Sequence, residues 1–317
     1  MKKVLITGIS GFVGSHLAEY CLSKNAKVFG LIRHRSNLKN VAHLRDQIEF
    51  HEGDVEDIAS MYLAMDAIKP DIVFHLAAQS YVPYSWTATA KTMSTNVGGT
   101  VNVLEAIRRS APKAAVLVIG SSEEYGLVKE GEWPIKETNP LRPLSPYGVS
   151  KVAEDMLGYQ YNRSYGLNII VSRAFNHTGP RRGKEFVIPS FIKRVLVANE
   201  KRSKIAVGNL DAIRDFTDVR DIVRAYWLLV TKGTPGEVYN ICSGRGHTMK
   251  DVLYRIINYI DPSLNNKIVI DKRYLRPSDV PVLIGSHDKI TDELGWYPEI
   301  PFNTTLKDTI KWMKGKQ

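Results

Sequence analysis

Val4-Leu5-Ile6-Thr7-Gly8-Ile9-Ser10-Gly11-Phe12-Val13-Gly14 is the stretch that decides the fold of this chain. A short apolar run of strand character enters a turn with glycine at positions 8, 11 and 14, and a helix-like segment, Ser15–Leu22, follows at once. The three glycines serve different ends. The first permits a tight turn, the second lets backbone approach a pyrophosphate, and the third lets helix pack closely on strand. A helix opening there aims unpaired N–H groups and its positive dipole end at an anion. Ser10, Phe12 and Val13 fill the gaps and belong to the same candidate site. A plain glycine-rich turn would look alike in isolation, so the strand before and the helix after carry the dinucleotide reading.

The pattern repeats downstream. Val28-Phe29-Gly30-Leu31-Ile32, Ile72-Val73-Phe74 and Val116-Leu117-Val118-Ile119 are continuous apolar runs of strand length, with helix-like segments such as Val101–Arg109 between them. Continuous rather than alternating runs mark strands covered on both faces, hence a parallel sheet. Residues 1–170 therefore read as an α/β domain, a Rossmann-type doubly wound parallel sheet that binds ligands at its strands' carboxyl ends. After about residue 170 the alternation fades, and Gly179-Pro180-Arg181-Arg182-Gly183 and Leu275-Arg276-Pro277-Ser278 punctuate shorter elements. Residues 171–317 read as a smaller α/β substrate-binding region. Some of its segments, Val238-Tyr239-Asn240-Ile241 among them, are candidates to return to the first sheet.

Composition narrows the function classes. The chain has 43 basic and 33 acidic residues, a formal net charge of +10. The basic residues sit in short groups without an amphipathic basic helix or an aromatic stacking platform, which suits small phosphorylated ligands better than nucleic acid. No run is long and apolar enough for a bilayer span, and Met1-Lys2-Lys3-Val4 leads straight into a strand without the pattern of a secretory signal. Two cysteines, Cys21 and Cys242, stand far apart without metal-ligand spacing. The expectation is a cytoplasmic protein with no metal site, disulfide framework or membrane partner.

The end of the second strand chooses between nicotinamide cofactors. A carboxylate there binds a ribose 2′-hydroxyl, whereas a 2′-phosphate needs a cation. The chain reads Leu31-Ile32-Arg33-His34-Arg35-Ser36, with no acidic residue between Lys27 and Asp46. Arg33 and Arg35 can fork onto phosphate oxygens, which points to NADP(H), although both could be merely exposed. After the third strand, Asp54-Val55 offers a carboxylate to the adenine amino group or to a helix N-terminus.

Tyr147-Gly148-Val149-Ser150-Lys151 sets a phenol and an ammonium four residues apart on one helical face. A free phenol is a poor base at neutral pH, and a neighbouring ammonium favours its phenolate. Ser121, closing the Val116–Ile119 strand, can hydrogen-bond the same substrate oxygen. His75, His177 and Trp86 read as packing or pocket-wall residues.

These motifs resemble the extended short-chain dehydrogenase/reductase superfamily: Gly8-x-x-Gly11-x-x-Gly14, His75-Leu76-Ala77-Ala78, Asn96, Ser121-Ser122-Glu123 with Tyr125-Gly126, and Tyr147-x-x-x-Lys151. The resemblance spans the whole chain and implies a nucleotide-sugar enzyme, with Leu76, Ala77, Ala78 and Asn96 joining Tyr147 and Lys151 at the cofactor. Phe175-Asn176-His177-Thr178-Gly179-Pro180-Arg181-Arg182-Gly183 with Phe186-Val187 is similar to the loop of GDP-mannose 4,6-dehydratases. Gly208-Asn209-Leu210-Asp211, Arg214-Asp215-Phe216-Thr217-Asp218-Val219 and Leu275-Arg276-Pro277-Ser278 look closest to GDP-6-deoxy-4-keto-mannose reductases. By that similarity, Asn176, Arg214 and Arg276 contact the GDP phosphates or ribose, with Val187 and Lys193 alongside. Ser80, Ser122, Glu123 and Arg181 complete the implied substrate set.

Both reactions share hydride transfer at C4 and the Tyr–Lys pair. Dehydration also needs a base for the C5 proton, and Glu123 occupies the place of the dehydratase glutamate. The similar reductases carry the same Ser-Ser-Glu-Glu-Tyr-Gly turn, and Glu123 could equally be an exposed turn residue. The reading adopted is NADPH-dependent 4-keto reduction of GDP-4-keto-6-deoxy-D-mannose to GDP-D-rhamnose. Its alternatives are GDP-mannose 4,6-dehydration, a bifunctional enzyme, or a nucleotide-sugar 4-epimerase; a non-enzymatic NADP-binding protein conflicts with the intact Tyr147, Lys151 and Ser121. The resemblance implies a homodimer or homotetramer.

Overall fold

The computed structural model describes residues 1–274 and 280–315. Its centre is a sheet of seven strands, all parallel. Six of them are β1 (Lys3–Thr7), β2 (Lys27–Ile32), β3 (Ile48–Glu52), β4 (Ile72–His75), β5 (Ala115–Ser121) and β6 (Ile169–Ala174). Val238–Ile241 is the seventh, giving the order Val238–Ile241, β6, β5, β4, β1, β2, β3. The division drawn near residue 170 falls inside β6, and the strand that pairs with β6 comes from far downstream.

The apolar runs of the sequence become strands because both faces are covered. Val4 and Ile6 pack with Leu17, Ala18, Tyr226 and Leu229 on one side, whereas Leu5 packs with Val103, Leu104 and Ile107 on the other. Successive side chains of a strand point to opposite faces, so every position in such a run must be apolar. The helix predicted over Ser15–Leu22 spans Phe12–Ser23, and that over Val101–Arg109 spans Gly99–Ser110. Later segments build a second core from the helices Val187–Lys201, Met249–Ile260 and Phe302–Lys314.

Strand order reverses direction at β1, which has β2 on one side and β4 on the other. Helices leave such a point on opposite faces and open a crevice beyond the carboxyl ends of the strands. That crevice is where the candidate residues meet.

Candidate active site

The crevice is a cleft of about 790 Å³. It is lined by Gly8, Ser10, Gly11, Phe12, Val13 and Gly14 after β1, Arg33 after β2, Asp54 and Val55 after β3, and Leu76, Ala77, Ala78 and Ser80 after β4. Ser121 at the end of β5, Ser122 and Glu123 just beyond it and Asn176 after β6 continue the wall, and the helix Pro146–Tyr165 adds Tyr147 and Lys151.

Two glycines shape its floor. Gly8 has φ +71°, a conformation that L side chains rarely adopt, and a Cβ on it would lie 3.0 Å from the Ala77 nitrogen. At Gly14 a Cβ would lie 2.7 Å from Ile9 Cα and press into the Gly8 carbonyl oxygen. The Gly11 N–H donates to the Gly8 carbonyl at 3.0 Å, and the helix begins at Phe12 without a side-chain cap. Its first amide groups therefore face the cleft, as a pyrophosphate requires. Thr7 joins β1 to β4: its hydroxyl accepts the Leu76 and Ala77 N–H groups, each at 3.1 Å, and meets His75 Nδ1 at 2.9 Å.

At the far end, Ser145 caps the long helix by accepting the Gly148 N–H at 3.0 Å, with Pro146 in the first turn. Tyr147 and Lys151 are buried. The Lys151 ammonium donates to the Ile119 carbonyl at 2.8 Å and to Glu154 at 2.9 Å, and lies 5.9 Å from the centre of the Tyr147 ring. Lysine alone would favour the phenolate, yet Tyr147 is pushed above the usual phenol range. Burial is the largest cause; Lys151 pulls the other way, Glu154 adds to the rise, and the Ser121 side chain partly offsets it. The expected pull of Lys151 on the phenol is present, and burial outweighs it.

The Ser-Ser-Glu turn is held from beneath. Glu124 accepts the Ser121 N–H at 2.6 Å while the Ser121 hydroxyl accepts the Glu123 N–H at 3.2 Å, a reciprocal cap. Arg173 lies 3.3 Å from Glu124 and 2.8 Å from Asp155, fastening the turn to β6 and to the long helix. Burial raises Glu124 well above the usual carboxylate range, with Asp155 adding to the rise.

Some expected residues lie elsewhere. Arg35 is exposed with φ +59° and does not line the cleft. Asn96 is buried away from it, accepting from the Gln79 N–H and donating to the Gln79 carbonyl and the Ser150 hydroxyl. These bonds tie the Gln79 segment of the cleft wall to the long helix. Val187 lines the cleft, but exposed Lys193 and buried Arg214 do not. Arg276 lies outside the described residues. Arg181 borders the cleft, but its guanidinium is engaged by Glu19 at 2.6 Å and the Asn40 carbonyl at 3.3 Å. Its neighbour Arg182, which the sequence does not single out, sits 3.5 Å from the Phe186 ring centre and 4.9 Å from that of Phe12 within the cleft wall. Gln79 and Tyr81 also line the cleft without a motif to mark them. His75 is buried, His177 lines the cleft, and Trp86 is largely exposed. Among the described residues no cluster of His, Cys, Asp and Glu could hold a metal, and no helix is long and apolar enough to cross a membrane.

A glycine-cradled helix N-terminus at a sheet's switch point, facing a buried Tyr–Lys pair and a strand-end serine, defines a Rossmann-fold nucleotide-sugar enzyme of the short-chain dehydrogenase/reductase class. Residues 5–309 match the GDP-mannose 4,6 dehydratase family, and the chain belongs to that family. It is 34% identical to GDP-mannose 4,6 dehydratase 1 of Arabidopsis thaliana, across 96% of this chain and 88% of that one. It is 32% identical to GDP-6-deoxy-D-mannose reductase of Pseudomonas aeruginosa, across 96% and 95%. The solved structure of RMD from Pseudomonas aeruginosa complexed with NADPH superimposes with a TM-score of 0.85 at 31% identity, covering all of both chains.

Proposed function

We propose that this chain is an NADPH-dependent ketoreductase that converts GDP-4-keto-6-deoxy-D-mannose to GDP-D-rhamnose. The observation that carries the reading is Tyr147, a buried phenol sharing one cleft with Ser121 and Lys151. Reduction of a ketone needs a proton donor at the carbonyl oxygen, whereas oxidation of an alcohol needs the same group as a base. The near end-to-end match to a GDP-6-deoxy-D-mannose reductase supports it further.

NADPH fits the residues present. The Gly8–Gly14 turn sets the uncapped N-terminus of the Phe12–Ser23 helix at the cleft for a pyrophosphate, Arg33 borders the cleft after β2 as a cation for the 2′-phosphate, and Asp54 borders it as a carboxylate for the adenine amino group. When bound, the nicotinamide supplies hydride to the ketone carbon. Tyr147 gives its proton to the carbonyl oxygen, Ser121 orients that oxygen, and Lys151 holds the field around the phenol. Asn176 and Val187 border the remainder of the cleft as sugar-nucleotide contacts. A homodimer or homotetramer accompanies this reading, and light scattering on the purified protein tests it.

One observation favours a second reading, GDP-mannose 4,6-dehydration: Glu123 borders the same cleft and offers a carboxylate as the base for C5. A single experiment separates them. Purified protein is incubated with GDP-mannose and catalytic NADP⁺, and in parallel with the 4-keto-6-deoxy sugar nucleotide and NADPH. The expected result is NADPH consumption in the second reaction only. Prompt 4-keto product from GDP-mannose without added NADPH overturns the reductase-only reading, and Glu123→Gln would then abolish dehydration while sparing ketone reduction.

A further inference from the structure

We propose that Glu154 is a positioning residue for this reduction: paired with Lys151, it offsets the ammonium's pull on Tyr147 and keeps that phenol protonated and proton-donating into the alkaline range. The proposal rests on the ketoreductase reading and adds a residue that reaches neither substrate nor cofactor.

Tyr147, Lys151 and Glu154 lie at helical spacings of four and three, so one inward stripe of the Pro146–Tyr165 helix carries all of them. The Lys151–Glu154 contact is 2.9 Å, with the two side chains 4% and 1% exposed. A solitary ammonium here would draw the Tyr147 proton off, since an opposite charge nearby favours the ionised form. A carboxylate directly behind the ammonium cancels much of that pull. Burial pushes Glu154 up to about 7 against the opposing effect of Lys151, so it is a carboxylate throughout the alkaline range in which a phenol titrates. Packing alone does not account for it. Glu154 Oε1 is buried without a hydrogen bond of good geometry, and an incompletely satisfied buried carboxylate is costlier there than an apolar side chain of similar volume.

The other groups around the pair leave Glu154 the principal counter-charge. From β4 comes His75, kept neutral because burial lowers it to about 3. From the Gly99–Ser110 helix comes uncharged Thr100, and from the Val219–Lys232 helix the buried phenol of Tyr226. Of the turn after β5, Glu123 acts weakly on Tyr147, while Glu124 is tied to Arg173 beside Asp155. Arg182 faces Tyr147 from the loop after β6. In the reaction the carbonyl carbon accepts hydride from NADPH, which is oxidised to NADP⁺. The carbonyl oxygen takes the Tyr147 proton, the ketone becomes an alcohol, and the phenolate regains a proton from water. Once ionised, Glu154 offsets Lys151 and so favours that return.

The test is a pH titration of the phenolate ultraviolet band in substrate-free protein, with Tyr147→Phe subtracted to isolate one phenol among the 15 tyrosines. Tyr147 is expected to titrate at or above the ordinary tyrosine value of about 10. Glu154→Gln should lower that midpoint by about one pH unit or more, and Glu154→Asp should restore most of it. The alkaline limb of the ketone-reduction profile should move down in parallel. A midpoint unmoved or raised in Glu154→Gln overturns the proposal. Should that variant not fold, a parent midpoint well below about 10 overturns it alone. Because the titration needs no substrate, a protein that gives the shift but does not reduce the 4-keto sugar overturns the ketoreductase reading and leaves the coupling standing.

Discussion

His75 is held between two hydroxyls, Thr7 on Nδ1 at 2.9 Å and Thr100 on Nε2 at 3.0 Å. The Thr100 hydroxyl donates to the Asn96 carbonyl at 2.6 Å, so it can only accept from the ring; Nε2 therefore carries the proton, and Nδ1 accepts from Thr7. Burial, helped by Lys151, lowers His75 from 6.5 to about 3. A base with a depressed folded-state value binds protons first in the unfolded chain, so its contribution is whole above pH 6.5 and drains away as pH falls toward 3. Relative to His75→Gln, urea-unfolding stability of the parent should fall over that window, with a slope of up to about 1.4 kcal/mol per pH unit. A flat difference would mean that the ring is solvated. At this scale the sequence was legible where chemistry follows spacing, as at Tyr147, Lys151 and Ser121. It was not legible where an environment sets the proton: the Lys151 partner Glu154 stood three residues away, but nothing in the string indicated that both would be buried.

Among the elements, the turn from β1 into the Phe12–Ser23 helix is the one read most completely in advance, because its constraint is local. Gly14 must come within a Cβ's reach of Ile9 and Gly8 for helix and strand to pack, and glycine alone allows it. Gly14→Val should cost about 1–3 kcal/mol of stability through overpacking. It should also weaken NADPH binding by about a hundredfold, since displaced amides no longer meet the phosphates; calorimetric titration measures that, and unchanged affinity would remove the turn from the site. The Asn96 segment and the Ser121–Glu124 turn were only partly legible, for the opposite reason. Their functions depend on partners distant in the chain: Asn96 on Gln79 and Ser150, and Glu124 on Arg173. No periodicity encodes such pairs.

For the whole molecule, the cleft is walled by residues from Gly8 through Pro189 and Tyr226, so a bound dinucleotide ties together segments distant in sequence. A ligand that binds only the folded chain stabilises it, by about 2.7 kcal/mol at a hundredfold excess over Kd. NADPH should therefore raise the melting temperature well above the effect of an equal concentration of NADH. Arg33→Glu should erase that preference; an equal response of the parent to both cofactors would remove the 2′-phosphate role from Arg33. The chain alone determined the parallel, two-sided sheet, the phosphate turn and the Tyr–Lys spacing, because apolar run length, glycine geometry and helical period are written in neighbouring residues. Only the tertiary structure decided the strand order, with Val238–Ile241 beside β6, which arginine turns into the cleft, and the balance of burial and charge at Tyr147. Those depend on burial and on charges from remote segments, which exist only once the chain has packed.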